Sequence, residues 1–130
     1  MQTKKTYDDF SIDALMAMDP EYLMTLIADK FKLDIPISID TPEDMVLAGS
    51  LLGRCTSNYS YLVNMSMMAK IMKRKLKRAG ADKNTIEDAL SREEIFTNYA
   101  DIMKAAYNTV SRMITVKQQI NAELKMSDSK

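Results

Sequence analysis

TPEDMVLAGSLLGRCTSNYSYLVNMSMMAKIMKRKLKRAG, residues 41–80, carries both ends of a long helix within one stretch. Thr41 can cap, Pro42 suits the first helical position, and Glu43 and Asp44 put acids in the first turn. At the other end Gly80 supplies the residue without a side chain that commonly closes a helix. Between them Leu51, Cys55, Asn58, Leu62, Met65, Ala69, Met72 and Leu76 step by four and three. All but Asn58 are apolar, so one face of the helix is built to be buried. Gly49 and Gly53 fall inside this helix, and their spacing permits close approach of a second helix.

A second apolar stripe follows downstream: Phe96, Tyr99, Met103, Ala106, Val110, Met113, Lys117, Ile120 and Leu124. Ser91-Arg92-Glu93-Glu94 matches a capping box and predicts that this helix opens at Arg92. The stretch AGADKNTIEDAL before it reads as a connector, with one helical turn near Thr85–Leu90. The expected fold is therefore all-α: a long antiparallel helical hairpin, about 42–79 and 92–125, with short N-terminal helices packed on one end. Those short helices are expected near Ser11–Met18 and from Asp19, where Asp19-Pro20 repeats the cap-plus-proline signal. Leu23, Met24, Ile27 and Phe31 give the second of them an apolar side. Asp34–Asp40 alternates, contains Pro36, and reads as an extended connector or one isolated strand. One domain is expected over 1–130: an acidic helical segment at 1–40, the hairpin at 41–126 and a frayed tail at 127–130.

Composition narrows the chemistry. The chain has 130 residues, 46% of them hydrophobic, which is enough for a core. It has no His, so the commonest acid/base group and metal ligand is missing. Its one Cys, Cys55, lies on the apolar stripe and forms no thiolate metal set. The carboxylate pairs Asp8/Asp9, Glu43/Asp44, Glu87/Asp88 and Glu93/Glu94 are sequence neighbours, which diverge on a helix, and two of them sit in first turns. No phosphate-loop or nucleophile motif occurs. The sequence thus predicts a protein that binds rather than catalyses, with no cofactor and no metal. It contains no apolar run long enough to span a membrane and no leader-like N-terminus, so a cytoplasmic location is expected.

Equal numbers of bases and acids, 18 each, conceal a strong asymmetry. Residues 1–44 hold 10 acids and 4 bases, whereas residues 45–130 hold 8 acids and 14 bases. Six bases fall within nine residues: Lys70, Lys73, Arg74, Lys75, Lys77 and Arg78, with Lys83 just beyond. Such a run can hold a phosphate backbone. It equally suits a solvated helix end that complements the negative pole of the dipole, or a surface that meets an acidic protein. Aromatic side chains near it can stack on unpaired bases. Tyr59 and Tyr99 fit the core stripes, which leaves Tyr61 and Tyr107 for exposure. Methionine is abundant at 12 residues, and Met65, Met68 and Met72, with Tyr107 and Met113, mark a candidate interface for a partner or a second copy.

The stretch LSREEIFTNYADIMKAAYNTVSRMITVKQQINAELKM, Leu90–Met126, resembles small helical proteins of tailed phages, and its layout is similar to the UvsY-type recombination mediators. The shared features are the acidic helix start at Leu90–Glu94, the central Tyr107, and Ser111-Arg112 followed by apolar and Lys positions at Met113–Lys117. The resemblance implies a ring-forming accessory that helps a recombinase load on single-stranded DNA. Lys70–Arg78, with Arg112 and Lys117, would then hold the strand. Two other roles suit the same chain. It can be an anti-CRISPR-like inhibitor of a host defence nuclease whose acidic segment mimics nucleic acid, or an oligomeric assembly protein. All three make a homo-oligomer or a protein partner part of the expectation.

Overall fold

A computed structural model describes residues 4–128. It is all-α, and no strand occurs among the described residues. A 3-10 turn at Tyr7–Asp9 leads into α1 (Ile12–Met16) and α2 (Pro20–Lys30). Two long helices follow, α3 (Pro42–Arg78) and α4 (Lys83–Asp128), which pack antiparallel along their length.

The ends of α3 form where the local chemistry dictates. The Thr41 hydroxyl accepts from the Asp44 N–H at 3.1 Å, and the Asp44 carboxylate accepts from the Thr41 and Asp40 N–H groups, each at 3.0 Å. Those bonds hold the Asp44 carboxyl below its usual range. At the C-terminus Gly80 takes a left-handed φ of 74°. Its N–H donates to Lys77 O at 3.2 Å and the Ala81 N–H to Leu76 O at 3.0 Å, the two bonds of a Schellman turn. Two residues later the Asp82 carboxylate accepts from the Thr85 N–H at 2.7 Å and caps α4. The hairpin loop is thus the four residues between Arg78 and Lys83.

That loop corrects the sequence reading. The second long helix starts at Lys83 rather than Arg92, and Ser91-Arg92-Glu93-Glu94 lies within it. Asp82 supplies an earlier cap, and KNTIEDAL contains neither Gly nor Pro to interrupt the helix. At the other end α4 continues through Asp128, past the expected stop at 125. Of the tail expected at 127–130, residues 129–130 lie outside the described residues, as do 1–3.

The core is built in two lengths along the hairpin. Toward the loop, Leu62, Met65 and Ala69 of α3 meet Ile95, Phe96, Ala100 and Met103 of α4. Leu15, Met16, Leu23, Leu26, Ile27 and Phe31 of the N-terminal segment close over them as a third layer. Arg92, only 7% exposed, fastens that layer: its Nη1 donates to Met18 O at 2.9 Å, in the turn between α1 and α2. Toward the open end, Ala48, Leu51 and Cys55 meet Ala106 and Val110, with Ile39 of the extended strap buried against them. That strap is the 34–40 connector, which pairs with no strand. Met24, expected on the apolar side of α2, is exposed, and Leu26 takes the buried place.

Gly49 and Gly53 do not lie where the helices meet. Both are exposed, and a methyl group built on either would meet nothing within 4 Å. Glycine there only adds chain entropy to the unfolded state. Gly53→Ala is expected to stabilise the fold by about 0.5–1 kcal/mol, read as a raised midpoint in urea unfolding.

Candidate nucleic-acid interface

The basic run occupies the last two and a half turns of α3. The core stripe Met65, Ala69, Met72 and Leu76 faces inward, and helical geometry puts Arg74 and Arg78 on the opposite side, continuing the line of Met67 and Ile71. Lys70, Arg74, Lys75, Lys77 and Arg78 are all exposed. Met67, Met68 and Ile71 are exposed beside them. The surface therefore combines positive charge with apolar contact area.

Two of the seven expected bases stand apart from the rest. Lys73 turns toward α4 and pairs with Glu93 at 2.5 Å, with side chains 16% and 17% exposed. Its charge is spent inside the hairpin and is not offered to a ligand. Lys83 begins α4 and sits 3.8 Å from Glu87, on a fully solvated surface where such a pair is worth little. The sequence could not show the first of these pairs, because it joins residues 20 apart across the hairpin register.

The acidic N-terminal segment docks on the hairpin without quenching the run. Among the described residues no ion pair joins residues 8–44 to Lys70–Arg78; Asp8 pairs with Lys30, Lys73 with Glu93 and Lys83 with Glu87. Asp13 shares a groove with Met72, Leu76, Asp88 and Arg92, which places α1 against the inner flank of the hairpin. Many of the acids already have local tasks. Asp9, Asp19 and Asp44 cap helix ends, Asp40 accepts from the Ser38 hydroxyl at 2.7 Å, and Asp8 meets Lys30.

Arg112 and Lys117 are not part of this surface. They line a groove with Ile37, Asp40, Val116 and Ile120 at the open end. Arg112 lies about 45 Å along α4 from its start at the loop. The five interface candidates do not form one surface either. Met65 is buried, Met72 and Met113 pack against the two cores, and Met68 and Tyr107 are exposed. As far as Ile114 the apolar stripes are consumed by the hairpin itself and by its N-terminal layer, whereas Ile120 and Leu124 stay exposed.

Tyr61 and Tyr107 are exposed as the sequence predicts, Tyr61 at 37%, and only Tyr59 departs from the expectation. Tyr99 packs on the first core as expected. Tyr61 is drawn into an aromatic cluster with Tyr7 and Phe31, and its hydroxyl shares a 2.7 Å hydrogen bond with that of Tyr7. Burial and that bond push the Tyr7 phenol well above its usual range. Tyr59, expected in the core, is 38% exposed and lines one groove with Tyr107, 39% exposed.

Cys55 is buried, and desolvation raises its thiol above the ordinary value. Among the described residues no group of three His, Cys, Asp or Glu side chains is placed to hold a metal ion. Among the described residues no helix is long and apolar enough to cross a membrane. The fold and its surface define a helical-hairpin protein with one basic end. In comparisons with known proteins, no family model, no curated protein and no solved structure matches the chain.

Proposed function

We propose that the protein binds single-stranded nucleic acid through the basic end of the hairpin, as an accessory factor and not as a catalyst. One observation carries the reading. Lys70, Arg74, Lys75, Lys77 and Arg78 stay exposed and unpaired among the described residues, although an acidic segment packs on the same hairpin. Free surface cations within one helix end are what a phosphate backbone neutralises, with release of its condensed counterions. Exposed apolar and aromatic side chains on the same helices favour single strands, whose bases are open to contact. The recombination setting, with a recombinase as partner, rests on the resemblance of Leu90–Met126.

The acidic-mimic alternative has less support, because Asp8, Asp9, Asp19, Asp40 and Asp44 are engaged within the fold. Self-assembly draws support from Val116, Ile120 and Leu124, exposed at four-residue spacing toward the end of α4. Sedimentation at graded concentrations reads it directly.

Fluorescence anisotropy of a labelled oligothymidylate, titrated with protein across salt concentrations, tests the main reading. Wild type is expected to bind with a steep log–log salt dependence. Arg74→Glu/Lys77→Glu is expected to lose about tenfold or more in affinity and to flatten the slope by about 1.4, two single-strand phosphate contacts' worth. Absence of binding at low salt ends the reading. Lys73 is left intact in this variant, since its charge holds the hairpin together.

A further inference from the structure

Tyr59 of α3 and Tyr107 of α4 stand on the two walls of one groove of about 310 Å3, with Lys104, Asn108 and Thr56 beside them and Cys55 and Met103 lining it as well. Among the described residues Tyr59 and Tyr107 have no ring partner and no hydrogen bond, in contrast with the Tyr7, Phe31 and Tyr61 cluster. Lys104 likewise has no ion-pair partner, and the Asn108 amide has no bond within the chain. Four side chains able to stack, donate and neutralise therefore surround one opening with none of those capacities used.

The position of the groove connects it to the basic end. On α3, Tyr59, Val63, Ser66, Lys70, Lys73 and Lys77 recur at steps of three and four, so they share one edge of the helix. Contacts across the hairpin confirm that this edge borders α4: the Ser66 and Thr97 hydroxyls meet at 2.6 Å, and Lys73 pairs with Glu93. Tyr61 and Arg92, which receive the N-terminal layer, lie on the other flank. The edge from Lys77 to Tyr59 is free of the N-terminal layer, covers nineteen residues, and spans about 27 Å. Its free charges are Lys77 and Lys70 near one end and Lys104 at the groove, with Asp101 outward of them on α4.

We infer that the Tyr59–Tyr107 groove is a stacking site for an unpaired base, and that a single strand runs along this edge from the basic end into it. The inference rests on the reading given under Proposed function. A base fits because it offers two π faces to the tyrosine rings and polar edges to Asn108 and Thr56. Lys104 meets the phosphate next to it. The basic end supplies salt-dependent affinity, and the groove supplies contact that salt barely affects.

The chain has no Trp and six tyrosines, so the two at the groove are read as the quenching that wild type shows and the Tyr59→Phe/Tyr107→Phe variant lacks. The experiment titrates an oligothymidylate of about twelve nucleotides into wild type, Tyr59→Ala/Tyr107→Ala, Tyr59→Phe/Tyr107→Phe and Arg74→Glu/Lys77→Glu, by anisotropy and by quenching. Thymidine monophosphate is titrated in parallel. The alanine pair is expected to weaken binding about tenfold with an unchanged salt slope. The phenylalanine pair is expected to retain affinity, and the oligomer to quench wild type far below the concentration at which the mononucleotide does. Tyr59→Leu/Tyr107→Leu, which keeps the bulk and removes the π face, is expected to behave like the alanine pair and guards against a folding defect. Wild-type binding that depends on Arg74 and Lys77 but not on either tyrosine overturns the groove and leaves the basic-end reading standing. Equal quenching by mononucleotide and oligomer overturns the strand path. Absence of binding at low salt overturns both.

Discussion

Phe96→Ala is expected to cost about 3–5 kcal/mol, against a total stability of roughly 7–20 kcal/mol for a chain of this length. Phe96 is fully buried where three layers converge, with α3 on one side and the N-terminal helices over it. Its removal loses the transfer energy of a ring and leaves a space that long helices, held at both ends, cannot close. In urea the midpoint falls while the slope stays, and the melting temperature drops by about 10–20 °C. Leu124→Ala is the matched control. Leu124 is 60% exposed near the end of α4, and its loss is expected to change stability by less than about 0.5 kcal/mol. A loss below about 1 kcal/mol for Phe96→Ala would mean that α1 and α2 do not cover the hairpin.

Phe96 was visible in the sequence as a member of the second apolar stripe, and so was most of the fold. The reason is that α3 is governed by signals confined to a few neighbouring residues. Thr41-Pro42-Glu43-Asp44 sets its start through bonds three residues long, and Gly80 sets its end through one left-handed turn. What the stripe could not tell is what would cover it. The third layer comes from residues 7–31, and the bond that fastens it, Arg92 to Met18, joins residues 74 apart. Local periodicity contains no information about a contact of that range.

The candidate site shows the same division. The basic run was plain as a cluster of residue types, but its composition was not. Lys73 differs from its neighbours only because Glu93 arrives opposite it when the hairpin closes. The difference between Tyr59 and Tyr61, both exposed but only one with ring partners, has a similar origin. The two lie two residues apart and so point to different flanks of α3. The N-terminal segment docks on the flank of Tyr61, whose ring meets Tyr7 and Phe31 while staying partly exposed, and the flank of Tyr59 stays open. Which tyrosine gained ring partners depended on a docking choice that no window along α3 records.

The start of α4 is where a local signal misled most, and the error has a thermodynamic signature. Ser91-Arg92-Glu93-Glu94 satisfies the capping-box pattern, but a cap works only if the backbone leaves the helix before it. Here the Asp82 cap fixes the preceding turns, and Ala89, buried against the hairpin, rewards their staying helical. If Ser91 were an N-cap, Ser91→Ala would cost about 1 kcal/mol. In the interior of α4 the same change is expected to be neutral or to stabilise by a few tenths, since Ala is the better helix former. Ser91→Pro has the opposite leverage. An N-cap position requires no helical N–H and tolerates the ring. A position eight residues into a helix loses a ladder bond and places the ring against the carbonyl four residues back, a cost of about 3 kcal/mol or more. The damage extends beyond the backbone, because a kink at Ser91 moves Arg92 and Glu93, one holding the N-terminal layer and the other Lys73. Urea unfolding of the two variants reads both signs. A stable Ser91→Pro variant with a weakened Ser91→Ala variant would restore the shorter helix.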